Sequence, residues 1–316
     1  DAPTLHNLTQ PLLDTPQTID AVPRQVMEDQ GVSTVRDALR NVPGISLAAG
    51  EYSSQGDNLT IRGFSARNDI YLDGMRDFGS YYRDPFFLED IQVLQGPSSI
   101  LFGRGSTGGV VEQDSKTPQL RPFTTGTLGF GTDMTRRATV DFNQPLPASW
   151  GQGAALRINL MANDNGVAGR NNAEYSRIGI APSLALGLGT PTRLTFSYLH
   201  QTEYDTPDYG LPWLFQGVSG QGSGLARPAD VSRDNFYGFS DNDYLRTNVD
   251  IPTVKFEHDF SDALSFRDQL RYAHYVRQFR ITEPQLYIPG TKVSELVPPG
   301  TPLDSLLVSR NELYGT

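Results

Sequence analysis

From about Phe123 to the end of the chain, apolar and polar residues alternate with period two through segment after segment, and no other feature constrains the fold as much. Ala138, Val140 and Phe142 alternate with Arg137, Thr139, Asp141 and Asn143, and Leu156, Ile158, Leu160 and Ala162 with Arg157, Asn159 and Asn163. Ile178, Ile180, Leu184, Leu186 and Leu188 alternate with Gly179, Ala181, Ser183 and Gly187, and Val254, Phe256 and Phe260 with Lys255, Glu257 and Asp259. Each segment therefore presents one apolar face and one wet face. The connections are unequal: Gln144 to Gly153, Gly187 to Thr192 and Ser261 to Ala263 are short, whereas Thr202 to Leu245 and Arg277 to about Leu303 are long. Short turns at one end and long loops at the other are the pattern of a transmembrane β-barrel. A soluble β-sandwich also alternates, but its strands average about 5–6 residues and these run to about 10 or more.

Composition excludes several other classes. No stretch approaches the roughly 18 uninterrupted apolar residues of a membrane helix, so any crossing of a bilayer is made by strands. A hydrophobic content of 37% looks soluble but equally suits a barrel with a polar lumen. The chain has no cysteine, hence no disulfide framework or thiolate metal site, and its four histidines, His6, His200, His258 and His274, lack metal-ligand spacing. A net charge of -10 argues against a nucleic-acid partner, which needs a clustered basic surface. The start of the chain carries no basic segment followed by an apolar one, so a leader peptide is either already cleaved or was never present.

Residues 1 to about 120 have a different character: short helical segments alternate with β-rich ones and glycine turns, which predicts a small mixed α/β domain. Pro23 to Gln30 reads as a helix opened by proline and stopped by Gly31. Ser33 is placed to cap a second helix that carries Val35, Ala38, Leu39 and Val42 on one face and ends at Pro43-Gly44. Strands are expected at Leu59–Arg62, Asp69–Leu72, Ile91–Leu94 and Gly109–Gln113. The glycines of Gly103-Arg104-Gly105-Ser106-Thr107-Gly108 match the dinucleotide fingerprint, but Val110 and Val111 begin a strand where that motif needs a helix. The acidic residues Glu112 and Asp114 also come far too early for it, so the reading is tight turns and no oxidoreductase.

The same domain contains, in order, Ile61-Arg62-Gly63-Phe64, Asp73-Gly74, Gly96-Pro97-Ser98-Ser99, Leu101-Phe102-Gly103, Gly108-Gly109 and Ser115-Lys116-Thr117-Pro118, preceded by Val42-Pro43-Gly44. This succession resembles the plug domain of TonB-dependent outer-membrane receptors. Arg83-Asp84-Pro85 and the run Pro207-Asp208-Tyr209-Gly210-Leu211-Pro212-Trp213 are most similar to the ferric-catecholate siderophore receptors within that family. The resemblance implies a plug over residues 1–120 inside an antiparallel transmembrane barrel that begins at 121–316, located in the bacterial outer membrane. It implies no enzyme and no resident cofactor: ferric iron travels as the siderophore complex, and TonB in the periplasm supplies the energy. The family barrel has 22 strands, and geometry agrees. A plug of about 120 residues is roughly 35 Å across, while strands about 4.8 Å apart and tilted about 40° give a barrel near 44 Å wide for 22 strands and only about 16 Å for 8. Residues after the plug supply about eight strands, so the chain is expected to be part of a longer receptor.

By resemblance, three plug loops, around Glu51 to Asp57, Ser65 to Asn68 and Gly79 to Asp84, rise toward the outside and meet the ligand. Ferric catecholates are anionic and rimmed by aromatic rings, so cations and aromatic faces are wanted together. Gln55, Arg67, Tyr81, Tyr82 and Arg83 are the plug candidates, and Asp208, Tyr209 and Trp213 could close the vestibule from a barrel loop. The competing readings are packing of the tyrosines against the barrel wall, salt bridges from the arginines to a lumen carboxylate such as Asp141 or Glu257, and a lipid-interface position for Trp213. Arg62 is implied to lock the plug to wall glutamates. Its usual basic neighbour before Gly-Pro is Gln95 here, and Glu112 and Asp114 replace an asparagine and an apolar residue, so each calls for a cation such as Lys116 or Arg104. No TonB-binding segment is recognisable in Asp1 to Gln10, and one is expected upstream. The alternatives are a receptor for another cargo, such as cobalamin, a different metal chelate or a glycan, and a passive adhesin barrel, which would need no plug.

Overall fold

The computed structural model describes residues 17–47, 56–97, 107–214, 227–291, 297 and 301–315. The N-terminal domain opens with β1 (Thr18–Pro23), α1 (Arg24–Asp29) and the one-turn α2 (Val35–Ala38). Short strands follow: β2 (Ile45–Leu47), β3 (Leu59–Ile61), β4 (Phe64–Ser65), β5 (Ile70–Leu72) and β6 (Met75–Arg76). Two longer ones, β7 (Leu88–Gln95) and β8 (Gly109–Ser115), complete it. A five-stranded sheet runs in the order β1-β7-β8-β5-β6, with β5 and β8 parallel and the other pairs antiparallel, beside a small β2-β3-β4 sheet.

Local chemistry explains the short elements. Thr34, not Ser33, caps α2: its hydroxyl accepts the Asp37 N–H at 3.0 Å, while Ser33 bonds the Asp37 carboxylate instead. The helix then relaxes into a 3-10 turn at Leu39–Asn41 before Pro43-Gly44 ends it. Val35, Leu39, Ile61, Ile70, Leu88, Ile91, Val93 and Val111 form the closed apolar centre. Arg62 and Gly63 both have positive φ, +50° and +84°, and turn the chain tightly from β3 into β4. A Cβ on Gly108 would lie 2.4 Å from the Ile61 carbonyl oxygen and one on Gly109 2.2 Å from that of Leu94. These glycines permit close backbone approach, and the strand β8 follows them where a dinucleotide site needs a helix.

The second region is one large antiparallel sheet. Its strands are β9 (Phe123–Phe130), β10 (Arg136–Pro145), β11 (Ala155–Val167), β12 (Arg170–Leu186) and β13 (Thr192–Thr206), then the short β14 (Trp213–Leu214) and β15 (Arg227–Pro228). The sheet continues through β16 (Tyr244–Ser261), β17 (Leu264–Arg271), β18 (His274–Tyr287) and β19 (Leu307–Gly315). Because β17 and β18 pair in succession with β16, the long strands make eight passes among the described residues. β13 and β18 extend into stretches that the alternation assigns to long connections, since their upper outward faces turn polar, with Thr202 on β13 and Gln278, Arg280 and Thr282 on β18, and the outward apolar signal is lost. Two connections at the loop end, 131–135 and 168–169, are short, which the sequence did not anticipate.

The alternation sets the orientation of the wall. Arg137, Asp141, Arg157, Asn159, Asn163, Arg177, Gln201 and Glu203 point inward and pack on the N-terminal domain, whereas Leu160, Ile178, Ile180, Phe196, Phe256 and Leu270 point outward and are exposed. No helix among the described residues is long and apolar enough to cross a membrane.

Candidate functional site

The segment between β6 and β7 is held by a buried charge network at its centre. Arg83 is only 2% exposed. Its Nε donates to Asp77 Oδ2 at 2.8 Å and its Nη2 to the Gly79 carbonyl at 2.8 Å, while its backbone N–H meets Asp57 Oδ2 at 2.8 Å. Two tyrosine hydroxyls complete Asp77: Tyr81 donates to Oδ2 at 2.8 Å and Tyr275, from β18, to Oδ1 at 2.7 Å. The two rings stack at 6.2 Å, and the Arg83 guanidinium lies 4.5 Å from the centre of the Tyr81 ring. Burial alone would raise the Asp77 carboxyl, but Arg83 and the hydroxyl donors outweigh it and hold the group below its usual range. At Asp57 burial wins and the carboxyl is pushed up despite Arg83. Burial and the Asp77 charge together raise the Tyr81 phenol well above its ordinary value, so it stays a donor.

The adjoining residues clamp this loop to the wall. Gln201 of β13 donates to the Tyr82 carbonyl at 2.7 Å and accepts the Asp84 N–H at 3.3 Å. Asp84 takes a bidentate pair from Arg137 of β10 at 2.6 and 2.7 Å. Tyr82 packs among Leu245, Phe279 and Ile281. At the opposite end of the seam, Asp141 receives Arg157 at 2.7 and 2.8 Å and Lys116 at 3.2 Å.

The candidate residues thus divide. Tyr81, Tyr82 and Arg83 are buried structural members of the loop, where the sequence reading offered them to a ligand; the alternatives of wall packing and ion pairing describe their positions, with Asp77 and Asp57 as the carboxylates in place of Asp141 or Glu257. Asp208 is spent on Arg170 at 2.5 and 2.8 Å, and Tyr209 donates to Glu283 at 3.2 Å. Trp213 lies in β14, paired with Gln285 of β18; its side chain, like Gln55 and Arg104, is outside the described residues. Arg62 stays within its own domain, donating to Gln95 Oε1 at 3.0 Å, and Gln95 in turn bonds Asp20 and the Pro43 carbonyl. No salt bridge reaches Glu112 among the described residues: Lys116 serves Asp141, Glu112 accepts the Gly74 N–H at 2.7 Å, and Arg271 of the wall offsets its charge only in small part. Burial first, and the charges of Asp114 and Asp73 after it, push its carboxyl well above the usual range.

Arg67 remains at the surface of the apex, its Nη2 donating to Ser80 Oγ at 2.9 Å. Across the seam it feels the like charge of Arg277, an inward residue of β18 whose guanidinium lies 4.9 Å from the Phe279 ring centre. Phe78, 70% exposed, lies on the same loop as Ser80. Cations on both sides of the seam, with the Phe78 ring, which lies 5.8 Å from the Arg76 guanidinium, on the same loop as Ser80, suit an anionic, aromatic ligand. Arg277 escaped the sequence reading because inward parity marks it as polar but not as the neighbour of Arg67. A cavity of about 550 Å³ opens nearby between α2 and the upper ends of β11 and β12, lined by Arg36, Arg40, Tyr82, Tyr175 and Arg177.

Residues 11–110 match the family described as TonB-dependent Receptor Plug Domain. The chain is 39% identical over 276 residues to the probable TonB-dependent siderophore receptor PiuA of Acinetobacter baumannii, covering 87% of this chain and 36% of that protein. It is 37% identical over 281 residues to the catecholate siderophore receptor Fiu of Escherichia coli K12, with 87% and 36% covered. The crystal structure of Fiu from E. coli K12 in its closed form superposes with a TM-score of 0.83 at 33% identity, over 98% of this chain and 43% of that one. The chain therefore spans a little over a third of the curated relatives' length.

Proposed function

From the premise that this chain belongs to the TonB-dependent receptors of the outer membrane, carrying their plug domain and the opening strands of their barrel, we propose that the whole protein binds a ferric siderophore of the catecholate type and imports it. The observation that carries this reading is Arg67 at the plug apex, bonded to Ser80 on the loop that also bears the exposed Phe78, with Arg277 of β18 as a second cation on the wall side of the seam. A trianionic iron–catecholate complex relieves the repulsion between the two guanidiniums and stacks its rings on the exposed aromatic face. Tyr81, Tyr82 and Arg83 contribute indirectly, by fixing the loop that presents Ser80 and Phe78. Iron is cargo throughout, and no covalent chemistry is involved. TonB draws on the segment ahead of β1, and ligand-dependent positions of the apex loops couple occupancy to that pull.

The test is a binding titration of the complete, detergent-solubilised receptor, followed by quenching of tryptophan fluorescence. The double variant Arg67→Ala, Arg277→Ala should weaken a ferric tricatecholate by about tenfold or more, since each charge-assisted hydrogen bond contributes about 1.5–3 kcal/mol. A neutral ferric trihydroxamate should lose far less. Equal losses for the two complexes would overturn the electrostatic account, and no binding of any ferric complex by the wild type would move the proposal to another cargo.

A further inference from the structure

The outward face of β13, β16 and β18 changes chemistry along its height. Leu194, Phe196, Val254, Phe256 and Leu270 are apolar, then Tyr198 and a row of His200, Asp250 and His274 cross three neighbouring strands. His200 Nδ1 and the Tyr198 hydroxyl both reach Asp250 Oδ1, at 2.8 and 2.5 Å. Higher still, Arg246 stands exposed between two rings, 4.9 Å from the centre of Tyr204 and 4.8 Å from that of Tyr244, with its Nη2 donating to the Tyr204 hydroxyl at 3.3 Å. Its neighbour Arg280 is neutralised by Glu312 at 2.6 Å, but no ion pair engages Arg246 among the described residues.

The heights of these layers can be worked out. A strand rising about 3.3 Å per residue and tilted about 40° climbs about 2.5 Å per residue along the barrel axis. Phe260, exposed near the turn end, is ten residues below Asp250 on β16, a climb of about 25 Å, which is the height of the apolar band of such barrels. Asp250 and its histidines therefore mark the upper margin of the hydrocarbon, where a carboxylate is tolerated. Arg246, four residues further on, sits about 10 Å above that margin, in the headgroup layer.

We propose that Arg246, held between Tyr204 and Tyr244, is a docking site for the phosphate of an outer-leaflet glycolipid. Three features meet there: a guanidinium with no ion-pair partner among the described residues, an aromatic frame that fixes its direction, and an apolar wall below it that receives acyl chains. Arginine binds phosphate bidentately, and the two rings limit the conformational freedom lost on binding. Asn248, on the same outward face between Arg246 and Asp250, adds an amide for the sugar hydroxyls. The inference rests on the chain lying in the outer membrane and is independent of which cargo the plug takes.

The experiment is native mass spectrometry of the complete receptor, stripped of lipid in detergent and titrated with bisphosphorylated lipid A, the same lipid with its phosphates removed, and inorganic phosphate. The wild type is expected to retain the phosphorylated lipid at least tenfold more tightly than the dephosphorylated form, Arg246→Ala to erase that preference, and Arg246→Lys to restore part of it. Ferric-siderophore titration of Arg246→Ala, expected to match the wild type, keeps this test separate from that of the plug site and reports on folding. An undiminished preference in Arg246→Ala would overturn the proposal, as would displacement of the lipid by millimolar inorganic phosphate.

Discussion

The plug and the wall use the same residue alphabet in opposite senses. The plug encloses an apolar centre of Ile61, Ile70, Leu88, Ile91 and Val111 beside buried polar groups such as Gln92, Glu112 and Gln113, and the guanidinium inside the apex loop, Arg83, is matched by Asp77 and Asp57. In the wall Arg157, Asn143, Gln201 and Asp205 are as fully buried as the apolar Leu245 and Ile281, while Leu128, Ile178 and Leu270 are more than half exposed. The difference follows from what each face meets. Plug side chains meet one another, inward wall residues meet the plug's polar surface, and outward wall residues are left exposed in the pattern of a barrel that faces lipid. A soluble domain beside an inside-out one explains why the whole chain looks hydrophilic, with a mean hydropathy of -0.39, although it builds a membrane wall.

If the plug is a conventional interior, removing one partner of its buried pair must be severe. Arg83→Ala strands Asp77 and Asp57 and should cost about 3–5 kcal/mol. Hydrogen exchange in the complete receptor should show residues 77–87 opening, with the wall strands unchanged. Protection equal to the wild type would mean that the loop is held by the wall alone, through Asp84 with Arg137 and Tyr82 with Gln201. The wall offers the converse test. Phe196→Arg, on the outward face four residues below His200 and within the apolar band, should destabilise the barrel by about 2–4 kcal/mol, whereas Thr202→Arg, near the upper margin, should cost about 0–1 kcal/mol. Denaturant titration of the receptor in lipid vesicles reads both. Similar costs at the two positions would contradict the assigned depth of the band.

The same contrast explains what was legible in the sequence. The alternation that begins after Phe123 gave the wall's parity residue by residue, and the glycine-rich plug motifs gave the family, because both are local patterns. The apex was harder. Tyr81, Tyr82 and Arg83 have the chemistry of a ligand site, but whether a guanidinium faces a vestibule or a carboxylate depends on Asp77 and Asp57, and Tyr275 of β18 is brought to them from 198 positions away. Lys116 is the clearest case: it lies two residues past Asp114 and four past Glu112, yet the strand ends there and turns its amine to Asp141 on the wall. The pleat would set positions 112, 114 and 116 on one face, but β8 ends at Ser115 and Lys116 leaves it for the wall. The upper halves of β13 and β18 were missed for a related reason, since strands that leave the lipid lose their apolar face while keeping their hydrogen bonds.

Glu112 gives the smallest and most specific test of the plug as a conventional interior. Its carboxyl is 1% exposed, accepts the Gly74 N–H, and faces Asp73 and Asp114, with Arg271 of the wall as the offsetting charge. A carboxyl whose folded value lies above its unfolded one keeps its proton in the plug at pH values where the unfolded chain has released it. Its contribution is therefore complete below the ordinary value of 4.5 and is lost as pH rises from there toward the raised value. Over that window the slope attributable to one group is at most about 1.4 kcal/mol per pH unit. Glu112→Gln keeps the acceptor for Gly74 and removes the titration. The variant should match the wild type near pH 4, exceed it progressively as pH rises, and show the flatter stability–pH curve when plug unfolding is followed by denaturant. Two parallel curves would mean that Glu112 titrates in the plug as it does in the unfolded chain, with the Arg271 charge balancing burial, so that the wall and not a retained proton accommodates the carboxyl of the central strand.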